Sequence, residues 1–389
     1  MRIQLKSKIF NNEIVFVLYL FVFTAIKPIL LSSGNSSKIL FIATVLILLV
    51  SLSNRTIDKG NFIRFVGIVV IILSILGFDM VFRPNSIQST IPYNFLVYGI
   101  IPLFLMINIQ DFKAVLKYYC IFSICVGCMY LKDPFVSYKW SSDYMQFGFL
   151  IMLPAFAGAI TAVYIFKKRI CCIFIGIFGI ELLLFGNKGA FLTAAILCLT
   201  MYFVTTEKNE RSKKLIFLMV LVVVVTINME SIFRLFTKLL GIADIYSYSL
   251  TTFNMFLFRS NSEVTSARIN IWMNAWNTFL KSPIWGHGTV YLEGINRSVS
   301  GYAHNIVLDI MVSYGILGLI VFIYVINISF KDIVKTTDEF FRNSLILFIV
   351  ISIVPLMFSL TFWKSSEFWV LIGLVIYRYN EKNMGVMTL

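Results

Sequence analysis

The chain has 389 residues, of which 59% are hydrophobic and only 13% are charged, and its formal net charge is +14. Soluble domains carry about 25% charged residues, so this composition excludes an ordinary soluble globular protein and indicates an all-α polytopic membrane protein. A positive charge would suggest nucleic acid in a soluble protein, but in a membrane protein it follows from cytoplasmic loops rich in Lys and Arg, so we expect no nucleic-acid partner.

Twelve apolar runs are long enough, or nearly so, to cross a bilayer as helices. They fall near residues 12–31, 37–53, 63–82, 91–109, 113–131, 144–166, 170–186, 188–206, 214–230, 303–330, 343–362 and 366–380. The first run resembles a signal peptide, but it is long and many more follow, so we expect a retained first helix. We predict nine spans in residues 1–230, a loop at 231–302 and three spans in 303–389, all in one integrated membrane domain.

The loops between these runs differ in positive charge, which predicts the orientation. Loops on the side of the two termini carry 20 Lys and Arg residues near the span ends, whereas the short loops opposite carry six. Because positive residues accumulate on the cytoplasmic side, we expect both termini in the cytoplasm and the long loop outside.

The long loop contains two predicted helices. Residues 231–242 place apolar side chains on one stripe, with Arg234 and Lys238 off it, which is typical of a helix lying in the membrane surface. Ser266 is a candidate N-cap for a second helix, which Pro283 ends. The predicted buried face of this second helix consists of Ile269, Trp272, Trp276 and Phe279.

Arg268 is the first candidate functional residue. If Ser266 caps the helix, Arg268 lies in the first turn, where free N–H groups and the helix dipole already favour an anion. An arginine there adds a bidentate donor for phosphate. The alternative is a rim arginine that extends towards lipid headgroups.

The two histidines of the chain, His287 and His304, are the next candidates, and both lie on the predicted outer side. His304 opens the tenth predicted span, and a histidine is well suited to accept a proton near neutral pH. An interfacial polar role is the alternative. His287 lies between Gly286 and Gly288, so it is the weaker candidate and a turn residue is the simpler interpretation.

Glu181 and Lys188 flank a short predicted outer hairpin. An ionisable group inside a span is costly and usually faces a partner or a wet cavity. The two residues form either a structural ion pair or a site where Lys188 stands at the mouth of an outward cavity near Arg268. For Asp309 and Lys27 we expect structural or interfacial roles.

The chain lacks the common motifs of soluble nucleotide chemistry and of metal binding. It has no P-loop, no Rossmann fingerprint and no G-x-S-x-G. It also has no H-E-x-x-H and no D-x-D pair, and its one C-x-x-C, Cys125 and Cys128, falls in an apolar span where we expect small packing residues. We therefore expect no metal site and no cofactor, and a metal-free mechanism if the protein is an enzyme.

The pattern R-x3-W-x2-A-W … P-x2-G-x-G … H-N-x2-L … G-x2-G resembles the O-antigen polymerase and O-antigen ligase superfamily. It is carried by Arg268, Trp272, Ala275, Trp276, Pro283, Gly286, Gly288, His304, Asn305, Leu308, Gly315 and Gly318. Family members often carry an S-R-G-type hairpin, where this chain has Asn187-Lys188-Gly189. Lysine keeps the charge of arginine but not its fork geometry.

The resemblance implies a GT-C-like inverting glycosyltransferase in the bacterial inner membrane. Its implied substrate is an undecaprenyl-pyrophosphate-linked oligosaccharide, and its site would face the periplasm under the large periplasmic loop. His304 would be the catalytic base, and Arg268 would belong to the pyrophosphate site. The further candidates for substrate binding are Lys188, Asn305, Arg259, Arg297, Glu181 and His287.

Three functions stay open. A polymerase would transfer the growing glycan onto the next lipid-linked repeat unit, and a ligase would transfer it to lipid A–core. We favour the polymerase, because polymerases vary more in sequence and the hairpin departs from the family pattern. A flippase or other transporter is the alternative of another class, but the chain shows no internal repeat. Membrane lipid and a chain-length regulator protein are the remaining expected partners.

Overall fold

The computed structural model describes residues 11–25, 36–53, 59–83, 90–107, 109, 111–206, 209–213, 215–216, 228–242, 247, 249–251, 262–289, 303–336 and 338–385. Every regular element within these ranges is helical. Five of the helices are long and apolar enough to cross a membrane, and several shorter helices are also apolar. The predicted all-α polytopic membrane architecture is thereby confirmed.

Thirteen helices are numbered here along the described part of the chain. The first five are α1 (Asn12–Ala25), α2 (Ser36–Ser53), α3 (Lys59–Phe82), α4 (Thr90–Asn94, the π-helical Phe95–Ile100 and Ile101–Ile107) and α5 (Phe112–Tyr130). The next four are α6 (Tyr144–Ile165, including π-helical turns), α7 (Cys172–Leu184), α8 (Lys188–Val204) and α9 (Met229–Ile242). The last four are α10 (Ser262–Lys281), α11 (Ile306–Lys335), α12 (Glu339–Leu356) and α13 (Ser366–Gly385).

Eleven of the twelve predicted spans coincide with one of these helices. The ninth, near 214–230, lies largely outside the described residues. The helix predicted at 231–242 is confirmed as α9, which begins two residues earlier. The count of twelve spans, their orientation and the GT-C-like likeness stay predictions.

The chain divides into two compact units. One combines residues 1–122 with 266–389, and the other is residues 123–265. These boundaries differ from the predicted divisions at residues 230 and 302, which stay predictions.

Aromatic side chains fill the core of the unit formed by residues 1–122 and 266–389. The ring of Phe95 meets that of Trp363 edge-on at 5.6 Å, and the indole of Trp369 donates a hydrogen bond to the Phe362 carbonyl at 3.0 Å. A tryptophan buried this deeply needs a partner for its N–H group, which that bond supplies. The Phe95 ring also lies 5.1 Å from that of Trp369, and this contact packs α4 against α13.

In the unit of residues 123–265, small residues allow helices to approach closely. A Cβ atom on Gly127 would lie 2.5 Å from the Ala155 Cβ and 2.7 Å from the Phe178 ring, so only glycine fits there. The side chain of Asn187 caps α8 by accepting from the Ala190 N–H at 2.7 Å. A helix cap of this kind satisfies one of the N–H groups that the first turn leaves unbonded.

A second, smaller apolar cluster joins α10 to α11. Ala275 and Phe279 of α10 pack against Met311 and Val312 of α11, and Ala303 completes the cluster. This contact brings the two segments with the candidate functional residues together within one unit.

Candidate active site

His304 lies immediately before α11 in a left-handed backbone conformation, with φ of 52°. The preceding residue, Ala303, is held at both of its backbone polar groups. The Ala303 N–H donates to Oδ1 of Asp309 at 2.8 Å, and the Ala303 carbonyl accepts from the Trp272 indole N–H at 3.0 Å. On the C-terminal side, the Asn305 side chain caps α11 by accepting from the N–H of Val307 at 3.0 Å.

Arg268 lies further into its helix than the sequence predicted. The helix begins at Ser262, not at Ser266, so Arg268 is the seventh helical residue. Sequence alone offers Ser262-Glu263 as a second possible first turn, with an acid where the helix dipole favours one. Arg268 is therefore beyond the unbonded N–H groups, and only its exposed guanidinium can bind an anion.

The apolar face of α10 also differs from the prediction. Of the four residues predicted to be buried, only Phe279 is. Trp272 and Trp276 remain 39% and 47% exposed. Ala275 is buried instead, because a small side chain lets α10 approach α11 closely.

The electrostatic environment of His304 favours its neutral form. Burial of the imidazole, followed by the positive charge of Arg268, lowers the pKa of His304 to about 4. Both effects disfavour the imidazolium, the first through lost solvation and the second through like-charge repulsion. His304 is therefore neutral at pH 7 and can accept a proton or a hydrogen bond.

The glycines of the family pattern form a backbone joint rather than a ligand site. α11 is kinked at Gly315, where φ is 65° and ψ is −158°. At the kink the Val312 carbonyl accepts from the His287 N–H at 2.8 Å, and the Ile316 N–H donates to the Pro283 carbonyl at 2.8 Å. The loop after α10 thus replaces bonds that an unbroken α11 would make to itself.

Gly286 and Gly315 are needed at this joint because the two backbones touch. A Cβ atom on Gly286 would lie 2.4 Å from the Ser313 carbonyl oxygen, and one on Gly315 would lie 2.2 Å from the Ile284 carbonyl oxygen. The ring of His287, in the same loop, bonds the Thr278 carbonyl through Nε2 at 2.7 Å. This contact favours the structural interpretation of His287.

A buried carboxylate that the sequence analysis overlooked anchors the same loop. Asp79, 2% exposed, accepts from both the N–H and the hydroxyl of Thr289, at 2.7 and 2.6 Å. Thr289 also bonds the Tyr314 hydroxyl at 2.8 Å, and Arg83 lies 3.5 Å from the other oxygen of Asp79. An acid within an apolar run, followed four residues later by an arginine, was the signal that would have revealed this group.

Four further candidates lie in the other unit or outside the described residues. Glu181 lies in the last turn of α7 and Lys188 opens α8, both within the unit of residues 123–265. His304 and Arg268 belong to the other unit. Arg259 and Arg297 lie outside the described residues. The joint action of these residues with His304 therefore stays a prediction.

Comparison with known proteins identifies one family. Residues 172–323 match the family model described as O-antigen ligase. This match confirms the superfamily resemblance, although it covers less than half of the 389 residues. It includes His304, Arg268 and every other candidate site residue. A search of curated proteins finds no match.

Proposed function

Because residues 172–323 carry the O-antigen ligase family domain, we propose that this membrane protein is a polysaccharide polymerase. It transfers a growing glycan from undecaprenyl pyrophosphate onto the next lipid-linked repeat unit, at the periplasmic face of the inner membrane. The observation that carries the proposal is a neutral, partly buried His304 next to the positive charge of Arg268. Such a pair combines a proton acceptor with a cationic hydrogen-bond donor that can bind an anion.

The reaction follows from these two roles. The acceptor sugar hydroxyl attacks the anomeric carbon of the donor glycan, on the face opposite the pyrophosphate. The new carbon–oxygen bond forms as the bond to the pyrophosphate oxygen breaks, and the configuration inverts. His304 takes the hydroxyl proton, and the leaving pyrophosphate keeps the electron pair. Arg268 stabilises the charge that develops on the leaving group.

A pyrophosphate bound at Arg268 also assists the base. Its negative charge offsets the guanidinium charge that helps to hold the pKa of His304 near 4. The pKa of His304 therefore rises when the donor is bound, and the imidazole becomes a stronger base when it is needed. Burial, the larger cause of the low pKa, is unchanged.

The runner-up is an O-antigen ligase, which uses the same donor but transfers the glycan to lipid A–core. The matched family model is described as O-antigen ligase, and the match is equally compatible with both reactions. The donor half of the reaction, with His304 and Arg268, is the same in both, so the acceptor alone distinguishes them.

The test is a gel of lipopolysaccharide from the source strain that carries His304→Ala or Arg268→Ala. Loss of the ladder with core plus one repeat unit retained supports the polymerase. Core without any repeat, with lipid-linked polymer accumulating, identifies a ligase. Arg234→Ala is the matched control, because Arg234 is exposed on α9 and pairs with Glu230 of the same helix. A full ladder in both site variants contradicts the proposal.

A further inference from the structure

The carboxylate of Asp309 bonds a residue outside its own helix, and that bond is not needed to cap the helix. It is the fourth residue of α11, 8% exposed, in a turn where an acid usually bonds the free N–H groups of its own helix. Here Asn305 already caps the helix, and Oδ1 of Asp309 instead accepts from the Ala303 N–H at 2.8 Å. The carboxylate therefore fixes the residue that precedes His304.

Trp272 holds the other backbone polar group of Ala303. Its indole N–H donates to the Ala303 carbonyl at 3.0 Å, and Ala303 is fully buried. Trp272 lies four residues after Arg268, so both side chains project from the same side of α10. The helix that carries Arg268, the candidate anion-binding residue, thus also sets the position of His304, the candidate base.

The backbone of His304 needs such support. A non-glycine residue with φ of 52° is strained, and it persists only where its neighbours determine the conformation. On the N-terminal side of His304, Asp309 and Trp272 hold the backbone of Ala303. On its C-terminal side, the Asn305 cap holds the start of α11. Without the first restraint, His304 can return to an ordinary backbone conformation and swing its ring away from Arg268.

We propose that Asp309 and Trp272 are positioning residues: they clamp the backbone N–H and C=O of Ala303 and thereby aim the His304 imidazole at the substrate. This assignment rests on the proposed function of His304 as the base. It also accounts for the R-x3-W spacing, since Arg268 and Trp272 then act on the same reaction from a single helix.

The matched variants are Asp309→Asn and Asp309→Ala. Asparagine keeps an oxygen that can accept from Ala303, whereas alanine removes it, and both remove the negative charge. Any difference between them therefore reports position rather than charge. Trp272→Phe removes the indole N–H and keeps a ring. Trp276→Phe is its control, because Trp276 is 47% exposed and lies one turn further along the same side of α10.

Activity is measured as the amount of polymer in the source strain at equal protein level. We expect Asp309→Ala and Trp272→Phe to lower it by about 10²-fold, the effect of misplacing a reacting group by about 1 Å. Asp309→Asn and Trp276→Phe should stay within about threefold of the parent on the same scale.

A second readout does not depend on activity. The chain has only two histidines, so the protein, purified in nanodiscs with a histidine-free tag, gives two imidazole signals in an NMR pH titration. A His304→Gln variant assigns the signal of His304. We expect its pKa to rise towards 6.5 in Asp309→Ala and Trp272→Phe, and to stay near 4 in the parent and in Asp309→Asn.

The outcomes separate the two proposals. If Asp309→Ala and Trp272→Phe leave both the polymer and the His304 titration unchanged, the clamp is wrong. Loss of polymer with an unmoved His304 signal also overturns it, because the residues then act elsewhere. If His304→Gln keeps full polymer while Asp309→Ala still shifts the His304 signal, the clamp stands and the proposed function fails. Should Asp309→Ala fail to fold, Trp272→Phe against Trp276→Phe decides the question.

Discussion

Replacing Gly315 by alanine should disrupt the joint between α11 and the loop after α10. The φ and ψ angles of Gly315, 65° and −158°, lie in a region that only glycine adopts readily, at a cost of about 1–3 kcal/mol for other residues. The new Cβ atom would also lie 2.2 Å from the Ile284 carbonyl oxygen, so the loop must move away.

The expected loss of stability follows from the bonds that this movement breaks. Three backbone bonds cross the joint, from the N–H groups of His287, Gly288 and Ile316, at 2.8 to 2.9 Å. At about 1 kcal/mol each, the three bonds and the strain together amount to roughly 4–6 kcal/mol. Unfolding in mixed micelles of dodecylmaltoside and SDS, followed by circular dichroism, measures this loss.

Gly77→Ala is the matched control. Gly77 lies within α3, and a Cβ atom there would meet nothing within 4 Å. Alanine in a helix interior is favoured over glycine by up to about 1 kcal/mol, so this variant should be as stable as the parent or slightly more so. If Gly315→Ala unfolds at the same SDS fraction as Gly77→Ala, the joint does not support the fold as we describe it.

Three further outcomes follow from the same contacts. Thr289→Val should lower the free energy of unfolding by about 1–3 kcal/mol in the same experiment, because Asp79 loses the hydroxyl donor at 2.6 Å. An unchanged unfolding transition would show that the Thr289 hydroxyl adds nothing to stability. Arg268→Ala should raise the pKa of His304 above 4 but leave it below 6.5, since burial is the larger cause, and a fall in an NMR titration would contradict this. The folded pKa of His304 lies below its unfolded value, so stability should be complete above pH 6.5 and decline as the pH falls towards 4; His304→Gln should lose that part of the pH dependence.

The positions of the spans were predictable because they depend on local composition. A helix that crosses a membrane needs a continuous apolar run, and eleven such runs coincide with described helices. The start of α10 was predicted five residues too late, since local sequence does not choose between a helix that begins at Ser262 and one that Ser266 caps.

The faces of the helices were less predictable, for a physical reason. In a soluble protein an apolar stripe faces the core, but in a membrane protein lipid is as apolar as the core. The apolar stripe that contains Trp276 therefore did not indicate which face of α10 contacts the rest of the protein. The helix packs through Ala275 instead. Small residues were the better signal of helix contact.

The candidate site was predictable only in part. His304 and Arg268 emerged from their chemistry and from the family pattern, and the structure places them within electrostatic range of each other. The bonds that Asp79 and Asp309 make were not predictable. Asp79 binds a residue 210 positions away, and nothing in local sequence identifies such a partner.

That separation has a consequence for the order of events during synthesis. At about 5–20 residues per second, roughly 10–40 seconds pass between the synthesis of Asp79 and that of Thr289. During that interval Arg83, four residues further along the chain and just past the end of α3, is already available to pair with Asp79. Half of the unit that contains both residues, 266–389, is also made last. The Asp79–Arg83 pair therefore shields a carboxylate while the nascent chain waits for its final partner.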